Sequence, residues 1–133
     1  MNRILLVLLT ALPLAACAPT SGAMVPATGP LLYAAEPGDV FASVMHIIST
    51  AEGLENSNGW MISETDSEAG FIRVDTTVLT PWMFWAPQRV QTLSVAVSAA
   101  APGRTQVVIQ RTAGARALEV RLHSMLAEAH ERL

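Results

Sequence analysis

Apolar residues recur along this chain in two different rhythms. Val40, Val44, Ile47, Ile48 and Ala51 fall at the spacings of one face of a 3.6-residue period. Glu36-Pro37-Gly38-Asp39, just before them, sets acids and a proline where a helix N-terminus favours them. The spacing predicts a first helix there, with Leu54 extending its stripe past Gly53 and Asn58-Gly59 ending it. A period of two follows. Residues 60–66 and 71–79 flank Ser67-Glu68-Ala69-Gly70 as a hairpin, with Ile72, Val74 and Val78 facing away from Arg73, Asp75 and Thr77. Residues 89–99 alternate in the same way, Leu93, Val95 and Val97 opposing Ser94, Ala96 and Ser98. Pro102-Gly103 is a turn by its own chemistry, and Thr105, Val107 and Ile109 share a face in a last strand that ends near Arg111. The helical rhythm then returns over residues 114–132, where Leu118, Leu122, Met125, Leu126, Ala129 and Leu133 form a second stripe.

These elements predict an α+β fold, a four-stranded antiparallel sheet with two helices packed on one face, in the order α-β-β-β-β-α. One-face alternation is what a sheet covered on a single side requires.

The N-terminus follows neither rhythm. Asn2-Arg3 gives a short positive start, an apolar run extends from Ile4 to Leu14, and the small residues Ala15 and Ala16 precede Cys17. A charged start, an apolar core of roughly 7–15 residues and a small-residue cleavage site define a secretory signal. Pro13 interrupts the run, which is shorter than the roughly 18–20 residues a spanning helix needs. Leu14-Ala15-Ala16-Cys17 resembles the lipobox of bacterial lipoproteins. That resemblance implies a diacylglycerol on the Cys17 thiol, cleavage before it and acylation of the new amino group. Two or three chains hold a protein on a bilayer where one holds only marginally. Ala18 follows the cysteine in place of an aspartate, which in enteric-type cells is compatible with transfer to the outer membrane. The expected organisation is therefore a signal peptide over 1–16, a lipidated flexible tether over 17–30 and one α+β domain over 31–133. The tether reading rests on the uncharged Pro, Gly, Ser, Thr and Ala of residues 18–30.

Composition narrows the function classes. Cys17 is the only cysteine, so the domain has no disulfide, thiol nucleophile or cysteine-ligated metal. Without residues 1–16 the chain keeps seven of its eight basic residues, all Arg, against eleven acids, a net charge of −4 with histidines neutral. No basic stripe exists for nucleic acid. The domain is long enough to bury a self-sufficient core.

The order of elements adds a second resemblance. Pro37-Gly38-Asp39-Val40-Phe41 opening a helix, Asn58-Gly59-Trp60 entering a strand and Glu68-Ala69-Gly70-Phe71-Ile72 entering another look like small bacterial lipoprotein domains. Among these are the helix-grip domains of an outer-membrane assembly lipoprotein. The resemblance covers residues 36–132 by pattern, implies a small α+β accessory domain of the envelope, and transfers no functional residue.

Few positions suggest chemistry. Trp82, Met83, Phe84 and Trp85 crowd between Pro81 and Pro87 at the connection of two strands. They are candidate partner or membrane contacts, since Trp rings suit bilayer interfaces and protein hot spots alike; a small domain also uses such residues to cap its core. His123 and His130 lie seven apart on the second helix, about 10 Å along its axis, too far to share a metal ion readily. A Glu119–His123 surface pair is the simpler expectation, and His46 stands alone. Glu64, Asp66 and Glu68 lack the spacing of a calcium loop and read as a solvated turn. No nucleophile elbow or phosphate loop is present. The expectation is a non-enzymatic protein with no cofactor, no metal and no catalytic residues, lipid-anchored in the envelope with the outer membrane favoured. It would act as an accessory or scaffold domain with an envelope protein partner, or alternatively as a small-molecule or lipid-binding module.

Overall fold

The computed structural model describes residues 20–21, 23–54, 57–78 and 89–133. Their order is β1 (Thr20–Ser21), β2 (Met24–Tyr33), α1 (Pro37–Ser49), β3 (Met61–Asp66), β4 (Phe71–Val78), β5 (Arg89–Ala101), β6 (Arg104–Thr112), a 3₁₀ turn (Ala113–Ala115) and α2 (Arg116–Ala129). The strands form one sheet in the order β2-β6-β5-β4-β3, with β1 pairing in parallel to the start of β5. The other pairings are antiparallel.

The α+β class holds, but the four-stranded α-β-β-β-β-α arrangement does not: the described residues hold six strands, and two of them precede α1. Both lie largely in the stretch expected to be a free tether, so the sheet begins well before residue 31. The physical reason is β2's position at an edge. Pro26 and Pro30 have no N–H to donate, and an edge strand tolerates them where a central one does not. The register against β6 slips between Val25 and Thr28 and again between Thr28 and Leu31, once around each proline-bearing stretch.

The four later strands follow their alternation. Ile72 pairs with Val95, Val95 with Ile109, and Val97 with Val107, which also meets Leu31. This lays a continuous apolar layer across four strands, and α1 and α2 close over it with Val40, Val44, Ile48, Leu118, Leu122 and Leu126. Most of these side chains are fully buried, so the space between helices and sheet is filled.

Helix α1 ends at Ser49, so Leu54 does not extend it. Ser49 and Thr50 return their hydroxyls to the His46 carbonyl at 2.8 and 3.0 Å, the local competition with helix propagation that such residues offer. At the other end of the chain, Ala34 N–H donates to the Glu131 carbonyl and Leu133 N–H to the Leu32 carbonyl, at 2.8 and 2.9 Å. The C-terminal tail is thereby tied to the end of β2.

Candidate functional site

A cleft of about 540 Å³ opens between the first turn of α1, the β3–β4 turn and β5. Each wall has a local cause. Pro37, which has no N–H to lose, begins α1 and brings Phe41 half-buried to one side. Across from it, the Ser67–Gly70 turn is held by Asp66, whose Oδ1 accepts from the Glu68 and Ala69 N–H groups at 3.0 Å each. Gly70 closes the turn with φ +70°, the left-handed region that favours glycine. The Val97 N–H donates to its carbonyl at 2.7 Å, drawing β5 against the turn. A Cβ at Gly70 would overlap the Val97 carbonyl oxygen, so the floor of the cleft is backbone on backbone. Val97, Ser98 and Ala99 complete the lining.

Among the described residues that line the cleft, Glu68 is the one titratable side chain. A cleft of this make-up can hold a small, largely apolar molecule, but it does not set an acid beside a base. Asp66 serves its own turn, which accords with reading the Glu64, Asp66 and Glu68 cluster as a solvated hairpin end. Among the described residues no group of three or more His, Cys, Asp or Glu side chains could hold a metal ion.

The histidines are arranged otherwise than their spacing suggests. His130 Nε2 lies 2.8 Å from Ser43 Oγ, joining the end of α2 to the middle of α1 across 87 residues of sequence. Its ring meets Tyr33 edge to face, with centroids 6.4 Å apart. The Ser43 hydroxyl also donates to the Asp39 carbonyl at 3.0 Å. Ser43 has one proton for these two contacts, so the direction of its hydrogen bond with His130 is set by the imidazole tautomer. Ser43 sits in mid-helix, where the neighbouring backbone N–H groups are used inside the helix and offer nothing to an oxyanion. The pair is a tie between elements. Beside it, Ala42, Ser43, His46 and Ile47 of α1 face Met125 and Ala129 of α2 across a shallow groove of about 330 Å³.

Glu119 does not pair with His123. It accepts from Arg111 Nε at 2.7 Å, both side chains mostly shielded from water. Arg111 pairs with Leu93 across the sheet and so shares the helix-covered face, where an unpaired guanidinium would be costly. Buried Tyr33 has its phenol pushed above the ordinary range by burial, with Arg132 opposing. On the other face of the sheet, burial pushes the Asp75 carboxyl up. Hydrogen bonds from Ser63 and Thr92 and the charge of Arg73 outweigh it, so the net shift is downward.

Cys17 and the Trp82, Met83, Phe84 and Trp85 group lie outside the described residues. The strands that flank the aromatic group are described: Val78 pairs with Arg89, and Arg89 in turn with Thr20.

The described chain thus belongs to the class of one-sided α+β sheets with two helices on a single face. No family model matches it, and no curated protein matches it. Among solved structures it is similar to the Zhui aromatase/cyclase from Streptomyces sp. R1128, at 14% sequence identity and a TM-score of 0.40, over 80% of this chain and 94% of that one. At that distance nothing of the enzyme's chemistry carries over.

Proposed function

We propose that this chain is a non-catalytic binding module of the cell envelope, held to a membrane through Cys17, that takes a small apolar molecule or lipid in the cleft beside α1. The cleft carries the reading: its size falls in the range of roughly 300–1,000 Å³ usual for ligand pockets, and its walls combine the apolar Pro37, Phe41, Ala69, Val97 and Ala99 and backbone with the polar Ser67, Glu68 and Ser98. The lipobox-like Leu14-Ala15-Ala16-Cys17 supports the location. The full-length protein, extracted from membranes in mild detergent, is expected to show a ligand-bound mass by native mass spectrometry. Ala99→Trp, which fills the cleft from an exposed position, should abolish that mass. A clean apo mass for the unaltered protein would sink the proposal.

A second reading, an accessory or scaffold domain with a protein partner, is favoured by the filled interior, since the helix–sheet space is occupied by the protein's own side chains. Chain reach adds a detail common to both readings. Cys17 precedes Thr20 by three residues, at most about 11 Å of chain, and Thr20 pairs with Arg89, the first described residue after the aromatic segment of the sequence. An acyl anchor at Cys17 would bring that end of the sheet to the bilayer. Trp82, Met83, Phe84 and Trp85 are then proposed as an interfacial contact rather than a distant partner surface.

A further inference from the structure

The two edges of the sheet are finished very differently. At the β2 edge, two prolines, two register slips and the C-terminal tail obstruct further pairing. At the β3 edge the described residues contribute no strand beyond β3 itself. All six residues of β3 are exposed, including Met61 at 59% and Ile62 at 38%. Strand edges of this kind are templates for another chain, and an extended peptide added there gains main-chain hydrogen bonds along its length.

Charge selects the occupant. Met61, Glu64 and Asp66 register with Asp75, Arg73 and Phe71 and so share the face away from the helices, while Ile62 and Thr65 register with Val74 and Ile72 on the other. The nearest basic group, Arg73, is already engaged with Asp75 at 3.5 Å. Two copies of β3 laid edge to edge in parallel register would set Glu64 beside Glu64 and Asp66 beside Asp66, which is unfavourable across strands. In antiparallel full overlap Glu64 meets Ser63 and Asp66 meets Met61, so neither acid gains a basic partner. We infer that β3 docks an extended segment of another protein, with basic residues opposite Glu64 and Asp66 alternating with apolar residues on the Ile62 and Thr65 side. This inference does not depend on the cleft.

The test uses the full-length protein in detergent with the synthetic peptide Ac-Lys-Val-Lys-Thr-Lys-Val-NH2, reading backbone amide hydrogen exchange. Exchange over Met61–Asp66 should slow about tenfold or more with peptide present, while β5 and β6 amides keep their protection as the measure of an intact fold. Glu64→Lys should remove the effect, Glu64→Gln should weaken it, and methylating alternate peptide amides should abolish it. Unchanged exchange at saturating peptide would overturn the inference. Equal slowing by the peptide with Glu in place of Lys would do so too, because it would mean adhesion without charge selection. Self-association in sedimentation that protects the same amides without peptide would assign the edge to a second copy instead.

Discussion

Strands β2 and β3 occupy the two ends of one sheet, yet they are held by different means. β2 is apolar and short of donors, but Leu31 and Tyr33 are buried beneath the helices and its far end is tied to the tail through Ala34 and Leu133. β3 buries nothing and is held only through β4, by its ladder and the turn that ends at Gly70. Proline and irregular register, which weaken a strand's own pairing, are affordable where burial supplies the stability. A strand with no burial, itself shifted once in register between Ile62 and Glu64, keeps its place through its backbone partner and one tight turn. Stability and availability for binding are thus separated to opposite edges, as expected when functional segments come from the less stable end of a domain.

The largest expected break in this asymmetry is Gly70→Ala. The added Cβ meets the Val97 carbonyl oxygen, and the left-handed backbone adds its own penalty. A loss of about 4 kcal/mol or more, in the exceptional range for single substitutions, is expected in urea denaturation. A loss below about 1 kcal/mol would show that β3 and β4 do not depend on that turn. A smaller effect is expected from deleting residues 131–133, which removes the two tail hydrogen bonds to β2. At about 0.5–1.5 kcal/mol for each bond, the amide of Ala34 should exchange faster while those of β5 do not; equal acceleration in both would mean the tail supports the whole domain.

The smallest effect concerns Asp75, which accepts from the Thr92 hydroxyl of β5 and pairs with Arg73. Its folded carboxyl titrates below its unfolded value. Its contribution is therefore present above the unfolded value, near pH 4, and is lost as pH falls through the lower folded one. Asp75→Asn should leave a protein whose stability falls less steeply below about pH 4 than that of the parent. Parallel acid-unfolding curves for the two would contradict the assignment.

Much of this was legible in the residues. Both helices and the four later strands followed from periodicity, because a one-sided sheet and the helices upon it must repeat their apolar positions. Residues 20–21 and 24–30 were not legible as strand. Pro26 and Pro30 imitate a linker, and only the presence of β6 beside them makes an edge strand out of that composition. Arg111 looked like a strand end, and its partner Glu119 lies beyond a turn whose direction the chain pattern does not fix. The Ser43–His130 tie spans 87 residues and has no local signal. The cleft was illegible for another reason: its floor is the carbonyl and N–H of Gly70 and Val97, which carry no side-chain signature.

The pairing of β2 with β6 also sets an order of events. Met24 meets Thr112 and Tyr33 meets Thr105, so the first long strand has nothing to pair with until nearly the whole chain exists. Contacts this distant in sequence form slowly, because a long loop must close before it is rewarded. Under the export signal proposed for this chain, that delay would keep the N-terminal segment threadable while the rest is still being made. The same wiring makes synthesis vulnerable at its end. A chain stopped before residue 104 lacks β6 and the α2 stripe, leaving β2 without its partner and the apolar face of the sheet uncovered by α2.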